Sequence, residues 1–165
     1  MKVALFVHCF FPEHFYGTET YTYELARNLK AMGHEPTVVS AVFQGEPPRE
    51  ALVTRYDFKG IPVVCIDRNK LPHGRIRETY YQPELRPVLR QVVNELRPDI
   101  AHVTHLINHT AALVDVLVEA GIPRVASFTD FFGFCYNNKL EPLNVAVDNS
   151  GWSDHLPVVG VFTRR

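Results

Sequence analysis

The sequence contains no run of about 18 consecutive apolar residues, the length a membrane-spanning helix needs. Its three cysteines, Cys9, Cys65 and Cys135, are odd in number and show no paired spacing. That excludes a disulfide framework or a cysteine-built zinc site and points to reduced thiols. Neither Gly-x-Gly-x-x-Gly after the first strand nor Gly-x-x-x-x-Gly-Lys occurs anywhere, so the dinucleotide-oxidoreductase and P-loop readings fall away. An excess of one charge is lacking too: 17 Lys and Arg face 18 Asp and Glu, a net charge of -1, which gives no basic field for nucleic acid. No acidic pair follows the first strand, as a phospho-receiver would require, and there is no internal repeat or low-complexity segment. The apolar start Val3–Val7 is broken by His8 and Pro12 and lacks a small-residue cleavage site, so it does not read as a signal peptide. The expectation is a cytoplasmic protein, with contact at the inner face of the membrane left open.

What is present is the alternation of an α/β domain. With 165 residues and 46% hydrophobic composition, one ordinary globular core is expected. Five nearly all-apolar runs read as strands covered on both faces: Val3–Val7, Thr37–Val42, Ile61–Ile66, Ile100–Val103 and Arg124–Phe128. Ala51–Phe58 reads as a short extended piece. Between the strands lie helical stripes. Thr18 is expected to cap a helix through Met32 on the stripe Tyr21, Leu25, Ala26, Leu29 and Met32, closed by Gly33. Pro83 is expected to open a second helix through Leu96, with Pro98 ending it, and Thr110 to cap a third, closed by Gly121. Strand-helix alternation predicts a Rossmann-like, doubly wound parallel sheet with helices on both faces and strand order 3-2-1-4-5.

In such a sheet, ligands bind beyond the carboxyl ends of the strands, where the order reverses beside the first strand. The loops reaching that crevice carry His8, His14, Tyr16, Gly17, Glu19, His105, Asn108, His109 and Asp130. Gly17-Thr18 before a helix suits an anion at free backbone N–H groups, or is simply a glycine turn with a threonine cap. His102-x-x-His105-x-x-x-His109 lacks a Cys or acidic ligand beside it, so no metal is expected. His102 is expected to point into the sheet or its covering helices, while His105, at a strand end, can hold a hydroxyl or shuttle a proton. Asp130 among Phe128, Phe131, Phe132 and Phe134 suits a carbohydrate, or caps the following helix. Arg68, Lys70, Arg75 and Arg77 around His73 form either a phosphate-binding patch or a solvated loop.

These stretches, taken in order, resemble the N-terminal, acceptor-side domain of family 4 glycosyltransferases of GT-B fold. The resemblance rests on Tyr16-Gly17-Thr18-Glu19, on Leu25 through Gly33-His34-Glu35, and on Arg97-Pro98-Asp99-Ile100-Ala101-His102-Val103-Thr104-His105. Gly121-Ile122-Pro123 and Thr129-Asp130-Phe131-Phe132 complete it. It covers residues 1–142, leaving 143–165 as a divergent tail in which Val158–Phe162 could add a strand. It implies transfer of a sugar from a nucleotide-sugar, a donor substrate rather than a cofactor, with no metal needed. It further implies Gly17 and Thr18 at the donor diphosphate and His105 and Asp130 as catalytic residues. Tyr16, Glu19, Asn108, His109 and Phe131 would lie on the acceptor.

The sequence departs from the family pattern at three places. Tyr16 replaces the first glycine of a pair, while Thr104 and Thr129 stand where histidines are usual. The family's second, donor-binding domain is expected to be missing. The expectation is a truncated or frameshifted product, or half of a split enzyme, without turnover until a donor-binding domain is supplied. The alternative is a non-catalytic Rossmann-like module that pairs with a separate chain.

Overall fold

A computed structural model describes residues 1–45, 48–74, 78 and 80–127. The strands are β1 (Lys2–Val7), β2 (Glu35–Val42), β3 (Val53–Phe58), β4 (Ile61–Asp67), β5 (Ile100–Val103) and β6 (Arg124–Ala126). The helices are α1 (Gly17–Ala31), α2 (Leu85–Leu96) and α3 (Ala112–Glu119), with one turn of 3-10 helix at Arg68–Lys70. The sheet runs β3-β4-β2-β1-β5-β6. Setting β3 aside, this is the expected order 3-2-1-4-5, parallel throughout.

Strand β1 occupies the middle and is buried on both faces, which is why its sequence is continuously apolar. Ala4 and Phe6 join a core built with Leu85, Leu89, Val92, Leu113 and Leu117 of α2 and α3. Val3, Leu5 and Val7 face the opposite way, onto Ala26 of α1 and the aromatic loop residue Phe10. Tyr21 and Met32, expected within the buried stripe of α1, are instead exposed. The stripe that packs is formed by Ala26 with Leu25 and Leu29.

The extended piece at 51–58 is the antiparallel edge strand β3, hairpinned onto β4 with Phe58 opposite Ile61. Lys59 and Gly60 both take positive φ, 50° and 80°, the geometry of a two-residue hairpin turn that matches strand twist. Asp57 Oδ1 accepts from Gly60 N–H at 2.7 Å and locks it.

Helix α2 begins at Leu85 rather than Pro83 and ends on Arg97, whose left-handed φ of 47° precedes Pro98. Thr110, expected to cap α3, lies one position before its N-cap Ala111; its Oγ1 still accepts from Ala112 N–H at 3.2 Å. No helix among the described residues is long and apolar enough to cross a membrane. The expected domain boundary at 142, the tail 143–165 and Val158–Phe162 lie outside the described residues.

Candidate functional site

The chain leaves β1 at Val7, crosses over through α1, and later returns on the other side of β1 to form β5. The carboxyl ends of these two adjacent strands therefore define a crevice, with the start of α1 beside it. Backbone hydrogen bonds fix its floor: Thr104 N–H and His105 N–H both reach Phe6 O, at 2.8 and 3.3 Å.

Three titratable side chains meet there. His8 follows β1 directly, and its Nε2 lies 3.2 Å from Oε1 of Glu19 in the first turn of α1. The Glu19 side chain is 2% exposed, and its other carboxyl oxygen has no hydrogen-bond partner among the described residues. A carboxylate in a first helical turn is favoured by the amide dipoles, and the His8 ring meets its Oε1. The His8 ring packs on that of His105, centroids 4.2 Å apart. His105 Nδ1 accepts the Ile107 N–H at 3.1 Å, so a neutral His105 carries its proton on Nε2.

The α1–β5 seam is closed by hydroxyls. Thr22 Oγ1 and Thr104 Oγ1 are 2.8 Å apart; Thr104 also reaches Phe6 O and Thr22 reaches Thr18 O. Tyr21 Oη lies 3.2 Å from Ser127 Oγ, which lies 2.9 Å from His102 Nε2. Burial holds the His102 pKa below its usual value, keeping the ring neutral. Ser127 and Tyr21 were not among the expected site residues. Short polar side chains give no periodic signal, and their partners lie far away in sequence.

Several expectations change on contact with the structure. Thr18 does not cap α1: the helix begins at Gly17, Tyr16 is its extended N-cap, and no side chain caps it. Gly17 has open space where a Cβ would stand, so packing among the described residues does not require a glycine. His109 does not sit on the rim. It is fully buried, with Nε2 donating to Val7 O at 2.8 Å and Val39 O at 3.1 Å. Burial pushes its pKa down to about 4, making it a neutral strut between β1 and β2. Asn108 ties down the same two strand ends, donating to His8 O at 3.1 Å and Ala41 O at 2.8 Å.

Arg68 belongs neither to a solvated loop nor to a phosphate patch. It is 1% exposed, stacks over Phe43, and donates to Gln82 Oε1 and Glu78 O, each at 2.8 Å. Its pKa falls to about 10 through burial. Arg75 and Arg77, like Asp130, Phe131 and Thr129, lie outside the described residues. Among the described residues no cluster of three or more His, Cys, Asp or Glu side chains is arranged to hold a metal.

The profile described as Glycosyltransferase Family 4 matches residues 15–148. The chain belongs to glycosyltransferase family 4. No curated protein matches it. The family 4 match spans Tyr16, Gly17, Glu19, His105 and Asp130, whereas His8 and β1 precede it. The crevice is thus assembled from a matched part, α1 and β5, and an unmatched first strand that brings its own histidine.

Proposed function

We propose that this family 4 domain is the acceptor-side half of a sugar transferase that uses a nucleotide-sugar, and that the β1–β5 crevice is where the two substrates meet. One observation carries the reading: in a chain of glycosyltransferase family 4, His8, just ahead of the matched residues, converges with Glu19 and His105 at the strand ends where the sheet order reverses. Gly17 and Thr18 receive the donor diphosphate at the start of α1, where backbone N–H groups lack helical partners. The acceptor lies against His105, with Tyr16 at the outer edge of the crevice, Glu19 and Asn108 fixing the wall behind it and His109 beneath.

In the transfer, an acceptor hydroxyl oxygen bonds to the anomeric carbon as the bond from that carbon to the diphosphate oxygen breaks. The hydroxyl proton needs an acceptor. With Nδ1 engaged by Ile107, a neutral His105 offers an N–H and acts as a hydrogen-bond donor that orients substrate oxygen. The resemblance to family 4 assigns the proton-accepting role to Asp130 and an acceptor contact to Phe131, both outside the described residues. Turnover requires a donor-binding domain, on the same polypeptide or another.

Thr129 favours a second reading. A threonine beside Asp130 cannot take or give a proton near neutral pH as a histidine could, which suits a binding module that pairs with a separate chain. Supplying a family 4 donor-binding domain and labelled nucleotide-sugars to residues 1–165 separates the two. Transfer that is lost in Asp130→Asn and reduced in His105→Ala supports the enzyme. Acceptor binding without transfer supports the module.

A further inference from the structure

Among the described residues, only three aromatic side chains are exposed: Phe15 at 62%, Tyr16 at 72% and Tyr21 at 41%. All three sit within seven positions, around the start of α1 at the edge of the crevice. The other described phenylalanine and tyrosine rings are buried or half-buried, several in the Phe10–Phe11–Tyr23–Phe58 cluster behind the same loop. The Phe15 and Tyr16 rings stack, centroids 5.7 Å apart and planes 19° from parallel. Their backbone is held to α1, since Thr20 N–H donates to Tyr16 O at 3.0 Å and Thr20 Oγ1 to Phe15 O at 3.2 Å. The Tyr21 hydroxyl is tethered to Ser127, so this ring too has a fixed position. Exposed rings on an anchored backbone, grouped at one place, mark a binding surface.

Charge narrows the occupant. No Lys or Arg occurs from residue 3 to 26, while Glu13, Glu19 and Glu24 do. Arg49, brought alongside by the fold, is paired with Glu13 at 3.1 Å. An anionic lipid surface calls for flanking cations, which this stretch does not carry. A neutral saccharide asks for flat apolar faces against its C–H surface and hydroxyl partners at the ring edges.

We propose that Phe15, Tyr16 and Tyr21 form an outer saccharide subsite, which holds a sugar unit of the acceptor beyond the one in the crevice and so selects an oligosaccharide over a monosaccharide. This rests on the crevice being the sugar-transfer site. Glu19 is buried within the crevice wall, while Phe15 and Tyr16 stand out from it just before the helix starts. A sugar covering these rings is therefore continuous with the crevice but outside it.

The test measures binding without any donor or turnover, so its failure leaves the transfer reading standing. Residues 1–165 are titrated calorimetrically with glucose, maltotriose, cellotriose and chitotriose, and separately with vesicles of phosphatidylglycerol and phosphatidylethanolamine. At least one trisaccharide is expected to bind about tenfold tighter than glucose, an advantage abolished in Phe15→Ala/Tyr16→Ala. Because both side chains are exposed, that variant keeps its fold, which circular dichroism checks. The proposal is overturned if no trisaccharide binds, if the double variant binds one as tightly as the original chain, or if the rings are needed only for vesicle binding.

Discussion

His8 Nε2 lies 3.2 Å from Glu19 Oε1, and this contact fastens the end of β1 to the first turn of α1. The carboxylate is buried, so it cannot exchange its partner for water. Replacing Glu19 with Leu removes this contact to His8 and is expected to cost about 2 kcal/mol. Glu19→Gln, which keeps an acceptor oxygen, is expected to lose less. Urea unfolding of the two variants measures the difference; equal losses would mean that a neutral acceptor oxygen contributes nothing and that the contact depends on the carboxylate charge.

His109 makes stability depend on pH with a defined sign. Its folded pKa of about 4 lies below the usual histidine value because burial disfavours the cation. Between these values the unfolded chain binds the extra proton and the folded chain does not, so stability falls as pH drops. From pH 7 to pH 4 the loss from this group is roughly 3 kcal/mol, and it levels off below that. His109→Gln keeps a donor for Val7 O and Val39 O but cannot titrate. Its unfolding free energy, compared with that of the original chain across this range, should lack that component of the slope.

Arg68 clamps the segment after β4 through Gln82 and Glu78 while its guanidinium lies over Phe43. Arg68→Met leaves buried oxygens without donors and is expected to cost at least about 3 kcal/mol. Arg68→Lys recovers little, since an ammonium lacks the planar fork that reaches both partners. A Tm for the lysine variant close to that of the original chain would refute the fork argument.

Thr22 and Thr104 form a coupled pair. Thr104→Val removes hydroxyl contacts to Thr22 and to Phe6 O and is expected to cost about 1 kcal/mol. Thr22→Val made in that background should cost less than in the original chain. A double-mutant cycle reads the coupling directly, and strict additivity would show that the 2.8 Å contact contributes nothing.

The sheet was legible in the sequence because its signals are local. Val3–Val7 announces a strand buried on both faces, and alternation with helical stripes leaves few topologies open. β3 was legible only as an extended piece, although Val53–Phe58 alternates and the Lys59-Gly60 turn follows; its single antiparallel pairing departs from the surrounding pattern. Site residues divide in the same way. Topology alone brings His8, Glu19 and His105 to one crevice. The burial of His109 and Arg68 depends on carbonyls and side chains supplied by distant segments, Val7 and Val39 for the histidine, Glu78 and Gln82 for the arginine. No local spacing encodes those partners. Thr18 illustrates a third case: a good capping residue lies one position inside the helix because Tyr16 already takes the extended cap conformation.

The central claim is that sugar and nucleotide meet at the carboxyl ends of β1 and β5. Its most direct test is a titration of isotope-labelled residues 1–165 with UDP-glucose and GDP-mannose, following the Gly17 and Thr18 amides and the His8 and His105 rings by NMR. The account predicts saturable shifts at Gly17 and His105 with at least one of the two. Shifts confined to the outer face of α2, around Arg90 and Asn94, with His8 and His105 unmoved, would contradict it.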